Sequence, residues 1–394
     1  LRIENEKYDI FEFLNLKPLF YKKIDLERMP KTYKLIKNSI NIPPVIHIIG
    51  TNGKGSTGRF LAHTLLKRGY SVGHYTSPHI LEFNERIWIN GENIRNEKLE
   101  EIHQRLQTLL PKHIINSLSY FEYTTLLAAL AFEGLDFVIM EAGLGGEFDA
   151  TNVFNKKISL VTTIDYDHQS FLGNTIEEIA TTKLNSIEKE AIIGKQIHNK
   201  LRIENEEWRI TDFAKKIKPN SKIYDYLEFF KKNEIKDLKK EFKFAPFLFE
   251  NYLLAMSFLK KENIHFSIDD IKDLTLPGRM QEIEKSLWID VGHNPLAARE
   301  IVKTLQTKVN LVYNTYSDKD YEEILKILKP KINKLYLIDV ENERIEKPEN
   351  IRKTAQNLGI EIKEFKEIKK PMLVFGSFSV VEEFLRRNFA GKNI

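Results

Sequence analysis

The run His47-Ile48-Ile49-Gly50-Thr51-Asn52-Gly53-Lys54-Gly55-Ser56-Thr57 constrains this chain more than any other stretch. An apolar segment enters it and a helix-patterned one leaves it, so its glycines sit where a buried strand turns into a helix. At such a junction consecutive backbone N–H groups turn toward one anion, the helix adds its positive end, and a lysine reaches the outer phosphates. The expected ligand is a nucleoside triphosphate with its magnesium, cradled by Gly50, Thr51, Asn52, Gly53, Lys54, Gly55, Ser56 and Thr57. The spacing departs from the ordinary nucleotide loop. Only two residues separate Gly50 from Gly53, and Gly55 stands between Lys54 and Ser56.

With 394 residues the chain can hold a large core and two domains. A hydrophobic content of 42% and a charged content of 29% place it among globular chains, and a net charge of +4 is too balanced to argue for nucleic acid. The charged runs at 204–207 and 236–241 read as solvated surface or connection. No apolar stretch is long enough for a membrane span, and the opening run Leu1-Arg2-Ile3-Glu4-Asn5-Glu6 is too polar for a signal peptide, so the expected location is the cytoplasm. Zero cysteines exclude disulfides, thiolate nucleophiles and sulfur metal sites together. Any metal is held by oxygen and imidazole.

Val45–Ile49, Val72–Tyr75, Phe137–Met140 and Leu160–Ile164 read as buried strands, with helices at 57–68, 97–110 and 121–133. The fold class is α/β, a mostly parallel sheet covered by helices. Residues 195–245 have weak periodicity and their elements cannot be placed, although Tyr224, Tyr226, Phe229 and Phe230 offer packing. Phe247, Tyr252, Ala255 and Phe258 then fall at helical spacing after Pro246. A second α/β rhythm follows Leu276-Pro277-Gly278-Arg279, with strands at Leu287–Val291, Val309–Tyr313, Leu335–Ile338 and Met372–Phe375 and helices at 295–306, 320–329, 349–358 and 378–388. This divides the chain into an N-terminal domain over 1–276 and a smaller Rossmann-like domain over 277–394.

The strands of the first domain end in polar clusters: Tyr75-Thr76-Ser77-Pro78-His79, Glu141-Ala142-Gly143-Leu144-Gly145-Gly146 and Asp165-Tyr166-Asp167-His168. Ligands of open α/β sheets bind beyond the strand ends, and magnesium takes oxygen ligands while keeping water and phosphate. Ser56, Ser77 and Glu141 are therefore candidate metal contacts, with His168 a softer partner beside two aspartates. Asp149-Ala150-Thr151-Asn152 supplies short polar groups that can cap a chain end or hold a substrate. Lys183 closes a helix expected over Ile176–Thr182, and its role is not readable from spacing. In the second domain Ile289-Asp290-Val291-Gly292-His293-Asn294-Pro295 brings a strand end to a helix start, where Asn294 is also a natural cap. Arg279 at the turn, Ser317-Asp318-Lys319-Asp320 and Gly376-Ser377-Phe378-Ser379 add polar groups, so both domains are expected to face a shared cleft.

Together these pieces resemble the ATP-dependent amino-acid ligases of the Mur type, and within them the folylpolyglutamate synthase and dihydrofolate synthase branch. Gly50–Thr57 resembles that branch's phosphate loop, and Thr76-Ser77-Pro78-His79 with Phe83-Asn84-Glu85-Arg86 resembles its folate segment; Glu141–Asn152, Asp165–Gly173, Pro277–Gln281 and Asp290–Pro295 also match. The resemblance implies ATP-driven ligation of L-glutamate to dihydropteroate, and to tetrahydrofolate or other reduced folates, through an acyl phosphate. It implies Lys54 and Ser56 on the triphosphate and a first magnesium, Ser77 and Glu141 as further metal contacts, and His168 on a second magnesium. Lys183 then matches a lysine carbamylated to give a metal-binding carboxylate, while Asn251, Arg279, Asp290 and His293 match nucleotide contacts, His293 also serving to order the closed cleft. A monomer is expected.

The chain also departs from the branch. Glu147 stands where it usually has Arg, Phe247 and Leu248 where it has His-Gln, and Phe375 where Thr is common. Lys183 lies in Thr182-Lys183-Leu184-Asn185-Ser186 rather than Glu-Lys-Ala-Gly-Ile. Two competing readings are a Mur-type ligase for a cell-wall precursor, for which residues 1–40 supply no evident uridine-nucleotide domain, and an ATP-binding regulatory module that has lost ligation, against which Lys54, Glu141 and His168 speak.

Overall fold

The computed structural model describes residues 8–18, 25–198, 201–203 and 206–391, and Leu1–Glu6 and part of the 204–207 run lie outside them. The chain forms two compact units. The first comprises Leu1–Ser77, Phe83–Phe242 and Glu250–Asp273, and the second Pro78–Glu82, Lys243–Phe249 and Leu274–Ile394.

The first unit is built on eight strands: β1 Val45–Ile49, β2 Val72–Tyr75, β3 Ile87–Ile89, β4 Glu92–Asn93, β5 Phe137–Glu141, β6 Lys156–Val161, β7 Glu190–Ile193 and, after a small pair β8 Leu201–Ile203 and β9 Glu206–Trp208, β10 Lys222–Asp225. Their order is β10-β7-β6-β1-β5-β2-β3-β4. Every residue of β1 is buried, as a parallel strand covered on both faces requires, and it pairs in parallel with β5 and β6. The antiparallel edge follows from the dipeptide Asn90-Gly91, whose φ values of 48° and 106° form the tight turn between β3 and β4.

Helices cover both faces. Lys54–Lys67 buries Phe60, Leu61 and Leu65 completely, each contributing about 1.5–3 kcal/mol relative to exposure. Tyr120–Ala131 and Ile176–Leu184 begin in capping boxes, Ser119 with Glu122 and Thr175 with Glu178, which satisfy otherwise orphaned first-turn amides. Ile10–Asn15 and Arg28–Ile36 pack their apolar faces into the same core as Tyr75, Phe83 and Phe132.

The second unit holds β11 Gln281–Glu284, β12 Leu287–Asp290, β13 Val309–Tyr313, β14 Ile332–Leu337, β15 Ile362–Glu364 and β16 Met372–Phe375, in the order β11-β12-β16-β13-β14-β15, with only β11 antiparallel. Its helices Pro295–Thr304, Tyr321–Leu328 and Phe378–Phe389 are capped by Asn294, Asp320 and Ser377. Some expectations need correction: the strand placed at Leu335–Ile338 runs from Ile332 to Leu337, and that at Leu287–Val291 ends at Asp290. The strand placed at Leu160–Ile164 starts at Lys156 and ends at Val161, because Thr162 to Asp165 leave the sheet to meet the phosphate loop. The unplaced stretch 195–245 contains β8 to β10 and helices Ile210–Ile217 and Lys232–Glu241.

Candidate active site

Strands β1, β2, β5, β6 and β7 run parallel, so their carboxyl ends share one edge of the sheet, and the polar clusters expected from the sequence emerge there. The loop after β1 turns at Gly53, whose φ of 90° is left-handed, and the Asn251 side chain occupies the space a Cβ would need, with Oδ1 only 2.5 Å from that position. Asn251, in the helix Leu248–Lys261, therefore lies directly on the loop. Thr51 and Asn52 donate backbone hydrogen bonds of 2.8 and 3.3 Å to the Thr163 carbonyl.

Lys54 opens the helix and folds back over its own loop, its Nζ 3.3 Å from the Gly50 carbonyl and 3.2 Å from that of Thr51. Glu141, at the end of β5, comes within 3.8 Å of the same Nζ, and its other oxygen accepts from the Thr76 hydroxyl. Lys183 reaches the loop from the helix Ile176–Leu184 and donates a 2.9 Å hydrogen bond to the Gly50 carbonyl. It is fully enclosed, and burial, followed by the charge on Lys54, pushes its amine down to about 7, against the pull of Asp167 and Asp149.

The Ser56 hydroxyl is buried and has no hydrogen-bond partner among the described residues. A buried donor without a partner is costly, so an incoming oxygen or cation is the natural complement. No group of three His, Asp or Glu side chains able to hold a metal occurs among the described residues. A hard cation at this loop would therefore have to take most of its oxygens from phosphate and water, which is how magnesium is usually bound. His168 adopts a left-handed φ of 51°, an uncommon conformation outside glycine, and its Nε2 lies 3.9 Å from Asp167. Ser77 directly follows Thr76 and is half-buried.

Within the polar clusters, side chains given no separate role by the sequence do specific work, and His198 joins them with no motif of its own. Thr76 orients Glu141. Asp165 exchanges hydrogen bonds of 2.9 and 3.0 Å with the Thr51 hydroxyl through its backbone, and its carboxylate takes a 2.8 Å bond from His198. Asp149, wholly buried and with its carboxyl pushed up by burial, gathers the Leu144 amide and the Thr151 amide and hydroxyl at 2.6 to 2.9 Å. Among the described residues Glu147 forms no ion pair, and its carboxylate accepts a 2.8 Å bond from Asn185.

On the second unit, Asp290 is buried at the end of β12 and accepts from the Met280 and Gly292 amides at 2.9 and 2.8 Å. Burial pushes its carboxyl up, and Arg279 opposes that shift. The Arg279 guanidinium lies 5.5 Å from the Phe378 ring, and His293 places Nδ1 3.1 Å from the Val291 carbonyl. Asn294 caps the following helix through the Ala297 amide at 2.9 Å.

Residues 278–373 match the family described as Mur ligase, glutamate ligase domain. A dihydrofolate synthase/folylpolyglutamate synthase of Buchnera aphidicola subsp. Acyrthosiphon pisum is 31% identical across 94% of each chain. The chain belongs to the dihydrofolate synthase/folylpolyglutamate synthase family. Solved members of this folate-ligase family share its fold. Helicobacter pylori folylpolyglutamate synthetase aligns with 36% identity and a TM-score of 0.75 over 95% of this chain and 96% of its own. Escherichia coli FolC in complex with DHPP and ADP aligns with 28% identity and a TM-score of 0.81, over 96% and 97%. The Yersinia pestis bifunctional folylpolyglutamate synthase/dihydrofolate synthase with Mn and AMPPNP aligns with 26% identity and a TM-score of 0.80, over 95% and 96%.

Proposed function

We propose that this folate-family ligase couples ATP cleavage to the addition of L-glutamate to dihydropteroate and, in further rounds, to tetrahydrofolate or other reduced folates. One observation carries this reading: Lys54 and Lys183 converge on the Gly50 carbonyl of a phosphate loop, with the Glu141 carboxylate beside Lys54. The Lys54 amine and the Glu141 carboxylate beside a loop of backbone amides suit a triphosphate with a divalent cation, and Lys183 reaches the same loop.

A carboxylate oxygen of the acceptor attacks the γ-phosphorus, giving an acyl phosphate and ADP. The glutamate amine then attacks the acyl carbon and phosphate departs with the carboxylate oxygen. No side chain becomes a nucleophile, in keeping with a chain that has no cysteine. Lys54 neutralises charge on the transferring group, and the loop amides and the helix start hold it. Ser56, Ser77 and Glu141 are assigned to one magnesium and His168 to a second; the ions supply further neutralisation of phosphoryl charge when bound. Lys183 is assigned as a carbamate, formed when its neutral amine adds carbon dioxide and releases a proton. Its amine, pushed down to about 7, is neutral often enough near neutrality for that addition. Asn251 and, on the second unit, Arg279, Asp290 and His293 are assigned to nucleotide. The chain acts as a monomer in the cytoplasm, where ATP is supplied.

Oxygen-18 in the acceptor carboxylate tests the reaction. One labelled oxygen should appear in the released phosphate at each turnover. Unlabelled phosphate accompanying glutamylated product would rule out the acyl phosphate.

A further inference from the structure

Glu147 is bound through three of its groups. Its amide donates a 3.0 Å hydrogen bond to the Thr182 carbonyl, its own carbonyl accepts a 2.6 Å bond from the Asn152 side chain, and its carboxylate accepts a 2.8 Å bond from Asn185. Thr182 and Asn185 flank Lys183 at the end of the helix Ile176–Leu184. Directly before Glu147, Gly146 lets the loop press on this helix end, where a Cβ would fall 2.8 Å from the Lys183 carbonyl. That carbonyl is in turn fixed by the Ser186 hydroxyl at 2.7 Å.

A carboxylate beside the carboxyl end of a helix is electrostatically disfavoured, because both carry negative charge. The Asn185 amide offsets this with a charge-assisted hydrogen bond, so the pair keeps an acidic side chain where a cation would be the ordinary choice. The loop that leaves Glu141 is thereby tied to the helix that presents Lys183. These two groups come from β5 and from a helix more than thirty residues later.

We propose that Glu147 is a positioning residue for the ligase reaction, acting with Asn185 to set where Lys183 meets the Gly50 carbonyl. This rests on the ligase reading above. A lysine displaced by even 1 Å at a phosphoryl-transfer site costs rate more than affinity. Glu147→Ala and Asn185→Ala should therefore each lower kcat about tenfold, with KM for Mg·ATP changed by less than about twofold. Because both remove one bond, the double variant should be no slower than either single one. Glu147→Gln keeps an oxygen that accepts from Asn185 and should restore most of kcat.

Hydrogen exchange on the full chain without nucleotide gives a second readout. In both alanine variants the amides of 143–152 and 182–187 should exchange faster, and in Glu147→Gln they should match the parent. Unchanged kcat in Glu147→Ala, or single effects that multiply in the double variant, would overturn the proposal. If the parent protein forms no glutamylated product, the ligase reading fails, whereas unaltered exchange in Glu147→Ala removes the clamp itself.

Discussion

Lys183 and Lys54 share one acceptor: the Nζ of Lys183 lies 2.9 Å, and that of Lys54 3.3 Å, from the Gly50 carbonyl. Burial, followed by the nearby charge on Lys54, disfavours the ammonium form of Lys183 and pushes its amine down to about 7. This gives the site a pH signature. An amine at about 7 in the folded chain and at its ordinary 10.5 when unfolded binds fewer protons in the folded state over the interval between them. Stability therefore rises with pH through that window, and the full penalty is felt below it. Lys183→Met should be more stable than the parent at about pH 6, with the gap narrowing by about pH 9, while turnover is lost. Denaturant titrations at the two pH values check the sign.

Lys54 pairs only loosely with Glu141, at 3.8 Å, and otherwise contacts carbonyls of its own loop. Its removal should spare the fold and strike the reaction. Lys54→Ala is expected to lower kcat roughly 10²–10³-fold, as loss of one preorganised donor does, with the thermal midpoint nearly unchanged. Steady-state kinetics beside a melting curve separates the two effects.

Ser56 makes the opposite case from an ordinary buried polar residue. Its hydroxyl has no partner among the described residues, so Ser56→Ala removes an unsatisfied group and should leave stability within about 0.5 kcal/mol of the parent. The magnesium concentration giving half-maximal rate should nevertheless rise severalfold, and chelation should stop turnover in both proteins. A metal titration of the rate reads this directly.

Gly53 combines a left-handed φ of 90° with the Asn251 side chain at the position of a missing Cβ. Gly53→Ala should cost more than about 1 kcal/mol and should abolish the stabilisation by ATP seen in a thermal shift. Shortening Asn251 would relieve the contact but not the backbone strain, so Gly53→Ala/Asn251→Gly should remain impaired.

Much of the architecture was legible because parallel strands are continuous apolar runs: the expected bounds of Val45–Ile49, Val72–Tyr75, Val309–Tyr313 and Met372–Phe375 coincide with β1, β2, β13 and β16. The β3–β4 hairpin is hard to read from the sequence although Asn90-Gly91 announces it, since its strands are too short to show alternation. Residues 195–245 resisted because their elements are short and bury few side chains; the helix Lys232–Glu241 buries none. At the site, the phosphate loop and Glu141 were marked by glycines and a strand end, whereas Lys183 and Asn251, on helices, were indicated only by the family resemblance. His198 was marked by neither, for it reaches Asp165 from a loop with no motif, and only the pairing of β6 with β7 brings the two together. Glu147 was visible as a departure, but its partner Asn185 emerged only when the helix end came against the glycine loop.

The central claim is glutamate ligation driven by ATP. Purified protein incubated with Mg·ATP and L-glutamate, once with dihydropteroate and once with tetrahydrofolate, should release phosphate and yield products heavier by one glutamate residue in both cases. Absence of a glutamylated product from either acceptor, with the protein folded and ATP bound, would contradict the account.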